Sequence, residues 1–223
     1  MSKIVSISQA LDLIQDNHTI ATSGFMLAGT PQTIFRTLGE RYTETKHPAN
    51  LTCVFCASQG DYVNAGYDHW AQEGMIGTVI GGHFGGTYKL ADYMAANKCQ
   101  AYNYPMGVMA ALFRNAIAKK PFELTKIGLG TFVDPRVEGG RVNSVTTRDL
   151  VKYVQFEGED WLCYPTPHFD IGIIRGTTSD EDGNISLEDE IAEMEIRSIA
   201  MAVKACGGKV IVQVRQVSKG TMT

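Results

Sequence analysis

Three glycine- and proline-rich stretches carry residue types from which a ligand-binding backbone can be made. They are Ser23-Gly24-Phe25-Met26-Leu27-Ala28-Gly29-Thr30-Pro31, Gly81-Gly82-His83-Phe84-Gly85-Gly86 and Asn103-Tyr104-Pro105-Met106-Gly107. Glycine lets a main chain approach a ligand closely and frees N–H donors for an anion. None of the stretches matches G-x-G-x-x-G, and no G-x-x-x-x-G-K-[ST] exists, so neither a dinucleotide turn nor an NTPase P-loop is supported. Each stretch alone is equally well read as plain turn chemistry, but three together favour a site. His83, between two glycine pairs, is open to an active-site role or to simple packing in a loop. No other His, Cys or acid stands at metal-ligand spacing from it.

Two further constellations resolve more blandly. Cys53 and Cys56 form a C-x-x-C inside the apolar run Leu51-Thr52-Cys53-Val54-Phe55-Cys56. In a strand, residues three apart point to opposite faces. No second pair follows, so these read as buried thiols. The five cysteines are odd in number and scattered, which argues against a disulfide scaffold. Thr178-Ser179-Asp180-Glu181-Asp182-Gly183 resembles the front of a calcium loop, with Asp189 at the twelfth place. Thr in the first ligand position and Asp in the twelfth weaken that match. An acidic turn leading into a capped helix accounts for it better. The acids Glu188, Asp189, Glu190 and Glu193 before Glu195 then suit a solvated helical first turn.

The elements that must position these loops alternate short β-branched runs with amphipathic stretches. That pattern predicts an α/β fold with a mainly parallel sheet in three α/β/α layers. A helix over residues 8–15 precedes a strand over 18–21. Thr30 is expected to N-cap the next helix, with Pro31 at its first position and Ile34, Phe35, Leu38 and Tyr42 buried. Strands follow at 51–57, 76–80 and 100–102, with helices at 87–97 and from Gly107 to near Lys119. A short buried strand is expected at 127–130. Residues 151–156 and 161–164, joined by Glu157-Gly158, predict a hairpin forming a small antiparallel addition. A strand at 169–175 returns to the main sheet. Ser186 is expected to cap a last long helix, with Leu187, Ile191, Met194, Ile199, Ala202 and Val203 on its apolar face. Gly207 and Gly208 stop that helix before a final strand at 210–214. In an open sheet of this kind, ligands bind at the carboxyl ends of the strands, where the glycine loops must lie.

The bulk properties agree. The 223 residues suit one domain, and 44% hydrophobic residues can bury a sizeable core. A net charge of -4 gives no basic excess for nucleic acid. No run of 18 apolar residues predicts a membrane span, and residues 1–10 have no apolar signal-peptide region, so the cytoplasm is expected.

Together these segments resemble the acetate/propionate CoA-transferase branch of the family I CoA-transferases. The likeness runs in order along the chain. It is carried by residues 23–31, by Val79-Ile80-Gly81-Gly82-His83-Phe84-Gly85, by Ala101-Tyr102-Asn103-Tyr104-Pro105-Met106-Gly107-Val108, by Gly128-Leu129-Gly130-Thr131-Phe132-Val133-Asp134-Pro135-Arg136 and by residues 174–184. The resemblance implies a fold shared with sugar-phosphate isomerases and a ping-pong transfer of CoA through a glutamyl-CoA thioester. It implies substrate-binding roles for Gly24, Phe25, Gly29, Gly82, His83, Gly85, Asn103, Met106 and Gly107. Coenzyme A would be a substrate, with no cofactor and no metal. In that family the nucleophilic glutamate lies in the C-terminal or beta half, near an E-x-G motif. Nothing here matches it, and Glu73 and Glu195 stand in the wrong segments. The chain therefore resembles the N-terminal, alpha-type half, expected to be inactive alone and to work in a homo- or hetero-oligomer. Residues 217–223 resemble the start of the join between halves. Many members have glutamine where Met106 stands; methionine cannot donate that hydrogen bond but can pack an apolar acyl chain.

Two other readings share the scaffold. A metabolite-sensing module would bind without turnover, consistent with the absent glutamate. A sugar-phosphate isomerase would need converging Lys, Asp and His, and no tight constellation of that kind is visible.

Overall fold

A computed structural model describes residues 3–221. Met1, Ser2, Met222 and Thr223, the last two closing the segment read as the join, lie outside the described residues. The elements run α1 (Ile7–Leu11), β1 (Thr19–Thr22), α2 (Gln32–Thr45), β2 (Leu51–Phe55), a 3-10 turn (Gly66–His69), β3 (Ile76–Gly81), α3 (Tyr88–Ala95), β4 (Gln100–Asn103) and α4 (Met106–Ile117). They continue with β5 (Phe122–Thr125), β6 (Lys152–Phe156), β7 (Glu159–Pro165), β8 (Ile171–Ser179), β9 (Ile185–Ser186), α5 (Ile196–Ala205) and β10 (Lys209–Val217).

The main sheet has the order β10-β8-β1-β2-β3-β4, with β9 added antiparallel to β8. All other pairings within it are parallel. Such a sheet must be covered on both faces, because crossover helices lie on both. Pleating divides the cover. Ile20, Cys53, Phe55 and Val79 pack with α1, α2 and α3 on one side. Ala21, Val54, Cys56 and Ile80 pack with α4, α5 and Tyr164 of β7 on the other. Cys53 and Cys56 thus fall on opposite faces, as their spacing requires. Among the described residues no helix is long and apolar enough to cross a membrane.

The hairpin forms with Phe156 opposite Glu159. Glu157 and Gly158 both take positive φ, the twist a two-residue hairpin turn favours. It gains a third strand, for β5 pairs with β7. The strand expected at 127–130 does not form. Gly128 (φ 98°) and Gly130 (φ 71°) turn the chain out of extended geometry, and Ile127 is 53% exposed.

Two capping expectations are also corrected. Thr30 does not cap α2; its hydroxyl donates to Met26 O at 2.8 Å. The first-turn amides Thr33 N and Ile34 N instead donate to Gln213 Oε1, which reaches across from β10. Ser186 does not start a long helix either. It pairs with Thr178 in β9, and α5 begins only at Ile196. Between them the acids act as acceptors towards the sheet rather than as a helical first turn. Glu190 pairs with Arg175 at 3.0 Å, Asp189 with Arg215 at 2.9 Å, and Glu188 takes the Thr178 hydroxyl. Met194 bends at φ 46° and Ile191 is 84% exposed, so neither lies on an apolar helix face. Ile199, Ala202 and Val203 are buried as the periodicity requires. The opening helix is shorter than expected; Ser6 and Gln9 form a reciprocal capping box at its start.

Candidate functional site

The three glycine loops leave the carboxyl ends of β1, β3 and β4, at the same edge of one sheet. Since β2 lies between β1 and β3, a fourth loop, residues 56–60, stands between the first two. Backbone bonds tie them together. Met26 N donates to Ser58 O and Gly60 N to Met26 O, each at 3.1 Å. Ser58 N donates to His83 O at 2.9 Å, and Tyr62 N to Gly86 O at 2.8 Å. Gly82 N donates to Cys56 O at 3.1 Å, and Tyr104 N to Gly81 O at 3.0 Å.

Within the first loop, Phe25 and Ala28 exchange backbone bonds and close a tight turn. Gly24 sits at φ 127°, and a Cβ there would come within 2.8 Å of Thr30 Oγ1 and 3.0 Å of Ala28 O. Gly29 takes φ 62°, a conformation that favours glycine. Phe25 is 45% exposed, and its ring lies 5.8 Å from that of His83. A Cβ on Gly85 would strike His83 Cε1 at 2.5 Å, so the imidazole rests directly on that glycine. Its Nδ1 is buried with no protein hydrogen-bond partner. A Cβ on Gly82 would meet Cys56 O at 2.6 Å and Met106 Cγ at 2.7 Å. The Met106 side chain therefore lies over Gly82 while remaining 48% exposed.

Met106 and Gly107 open α4, where first-turn N–H groups have no intrahelical acceptor and the helix dipole favours negative charge. The space over Gly107 is open: a Cβ added there would meet nothing within 4 Å. Asn103 stands at the same edge but acts as a strut: its Nδ2 donates to Gly81 O at 2.9 Å and its backbone N to Gly140 O at 2.8 Å. Five of the nine expected residues, Phe25, Gly82, His83, Gly85 and Met106, thus meet at one shelf; Gly24 and Gly29 are buried within the first loop, and Asn103 and Gly107 stand beside the shelf.

Two residues that sequence reasoning passed over belong to the fourth loop. Ser58 and Gln59 are wholly buried. Ser58 Oγ donates to Gly85 O at 2.5 Å. Gln59 Nε2 donates to Gly24 O and to Ala57 O. The only signal was Ala57-Ser58-Gln59-Gly60, a small-polar-glycine turn directly after a predicted strand.

The chain's own nucleophile candidates here are muted. Burial pushes the Cys56 thiol well above its ordinary value, and the neighbouring Glu195 carboxylate, which it hydrogen-bonds, adds to this. A thiol so held carries no useful thiolate fraction. Burial acts likewise on Cys53. Among the described residues no group of three or more His, Cys, Asp or Glu could hold a metal. In the calcium-like segment Asp180 closes its own turn, accepting from Asn184 N at 2.8 Å and Nδ2 at 2.7 Å. Two shallow surface pockets lie at the opposite, amino end of the strands; the larger of the two, about 330 Å³, is lined in part by Lys119, Thr166 and His168. The shelf itself is an open surface.

The sequence model of the family described as Coenzyme A transferase matches residues 4–222. The Caffeate CoA-transferase of Acetobacterium woodii is 40% identical over 223 residues, covering 100% of this chain and 43% of that protein. The crystal structure of acyl-CoA transferase YdiF from Escherichia coli O157:H7, as a thioester complex with CoA, superposes with a TM-score of 0.95 at 35% identity, covering 100% of this chain and 46% of that one. The Acetate CoA-transferase subunit alpha of Escherichia coli K12 is 24% identical over 187 residues, 84% of this chain and 76% of that subunit. The chain thus spans less than half the length of the first two relatives and most of the third.

Proposed function

The chain belongs to the coenzyme A transferase family, and on that premise we propose that it is the alpha-type half of an enzyme moving CoA between a short-chain acyl-CoA and a carboxylate acceptor. The observation that carries this reading is the shelf of cross-bonded glycine loops beside a helix start, which offers backbone donors and apolar side chains but no activated nucleophile. The nucleophile, a glutamate, comes from a beta subunit or C-terminal half laid over the shelf. CoA enters as substrate and no cofactor takes part.

In this reading the partner's glutamate attacks the thioester carbonyl, forming a mixed anhydride and releasing CoA thiolate. The thiolate attacks the glutamyl carbonyl, giving glutamyl-CoA and the first free carboxylate. An acceptor carboxylate then attacks glutamyl-CoA, and the thiolate returns to the new acyl group, restoring the glutamate. Splitting one hard exchange into such steps is the gain of covalent catalysis. This chain's part is to meet the oxyanion of each tetrahedral intermediate with main-chain N–H groups of the glycine loops and of the first turn of α4. Phe25 and Met106 pack the acyl group.

The test is acyl-CoA/carboxylate exchange by the pure chain, then with a complementary half added. Expected is no turnover alone and robust turnover together; robust activity of the pure chain refutes the reading. The absent nucleophile also supports a second reading, a metabolite-sensing module on this fold. That reading requires saturable acyl-CoA binding with no turnover even when a complementary half is bound.

A further inference from the structure

The Gln59 amide has one permissible orientation. Gly24 O and Ala57 O only accept, so Nε2 must face them, and Oε1 takes the Thr22 hydroxyl at 2.8 Å. Having donated to Gln59, the Thr22 hydroxyl accepts from Tyr67 OH at 2.7 Å. Tyr67 is itself clamped by rings, with Phe55 at 4.6 Å, Phe35 at 4.9 Å and Trp70 at 5.3 Å between centroids. Burial raises its phenol well above the ordinary value, which keeps it a donor. An ordered chain of donors therefore runs from the aromatic core through Thr22 and Gln59 to the carbonyls of Gly24 and Ala57.

The second side chain of this loop completes the arrangement. Ser58 holds Gly85 O through its hydroxyl and His83 O through its N–H. One loop thus grips the glycine loops on both sides. Glycine's broad conformational freedom makes such a grip consequential. At φ 127° the Gly24 peptide sits where few residues go, and its carbonyl is kept there by Gln59.

Resting on the transferase reading above, we infer that Gln59, assisted by Ser58, is a positioning residue that sets the spacing of the 24–29 and 82–86 loops and so the geometry in which their main chain meets the thioester. It touches no reacting atom. Its removal acts on the chemical step more than on substrate capture.

The test uses Gln59→Glu and Ser58→Ala. Glutamate keeps the volume and the acceptor for Thr22, but it can donate to at most one carbonyl, and only when protonated. In the reconstituted enzyme, kcat per folded site should fall about a hundredfold in Gln59→Glu, as expected for a displacement near 1 Å. KM for acyl-CoA should stay within about threefold, the loss being deeper at alkaline than at acid pH. Amide exchange in the isolated chain should quicken in residues 24–29 and 82–86 while β1 and β3 keep their protection. Ser58→Ala, which removes one bond, should show a smaller change of the same kind if Gln59→Glu does not fold. A lowered Tm with wild-type kcat per folded site overturns the inference, as does unchanged loop exchange. If the unaltered chain is inactive with its complementary half, the transferase reading fails, and exchange alone decides: selective loss upholds the grip on the loops, and unchanged protection overturns it.

Discussion

Replacing Gly29 should harm turnover more than stability. The residue sits at φ 62°. An added Cβ would lie 3.6 Å from Met194 Cγ and 3.7 Å from Gly24 Cα, which are ordinary contacts. The first carbon therefore fits, and the penalty is conformational. An L-residue in this region costs about 1–2 kcal/mol, with the β-branched valine at the upper end or beyond. For a chain of this size each kcal/mol lowers Tm by about 2–4 °C, so Gly29→Ala should lose about 2–4 °C and Gly29→Val about 4–8 °C. The chain can relieve the strain by swinging the loop, at the expense of the Thr30 bond to Met26 O and the Phe25–Ala28 turn. A shift near 1 Å then costs about a hundredfold in rate. The assay is kcat per folded site of the reconstituted enzyme, measured with Tm, for both variants. If Gly29→Val melts early yet turns over normally, the loop does not approach the thioester closely and the argument fails.

Met106→Gln should lose relatively more on butyryl-CoA than on acetyl-CoA, because one methylene in an apolar pocket is worth about 1–3 kcal/mol; equal changes on acetyl-, propionyl- and butyryl-CoA would remove Met106 from the acyl pocket. Asp134 is held well below the ordinary carboxylate value, chiefly by its hydrogen bonds from Arg136 and also by Gly130 N. The unfolded chain therefore takes up the proton first, so stability present above about pH 4 falls on acidification. Urea midpoints of Asp134→Asn should fall less steeply from about pH 4 to about pH 2 than those of the unaltered chain; parallel curves would refute this. Asp68 shows the opposite sign: burial raises its carboxyl, although it caps α3 by accepting from Leu90 N at 3.1 Å. Its native form holds the proton longer, so stability drops as pH climbs above about 4. Asp68→Asn keeps an acceptor and drops the charge, so it should match or exceed the unaltered chain in midpoint at neutral pH; a clear loss there would refute the burial argument.

Most of the fold was legible because periodicity reports burial directly. The runs at 51–57, 76–80 and 169–175 became β2, β3 and β8 with boundary shifts of a few residues, and Glu157-Gly158 marked its hairpin turn. The readings that failed depended on partners far along the chain. Thr30 and Ser186 both have the right chemistry for a cap. Thr30 turned to Met26 O, and Gln213, from the last strand, took the α2 amides. The acids at 188–190 have the composition of a helix start, yet Thr178, Arg175 and Arg215 drew them to the sheet.

The sequence by itself determined the layered α/β architecture, the placing of the glycine loops at strand ends and the family likeness. These follow from local residue type, period and ordered motifs. Only the tertiary structure decided that Ser58 and Gln59 grip the loops on either side, that Asn103 is a strut, and that Cys56 lies buried against Glu195. Those facts depend on which strands become neighbours. Placing β2 between β1 and β3 sets the fourth loop between the other two, and that order comes from packing over the whole chain rather than from any local window.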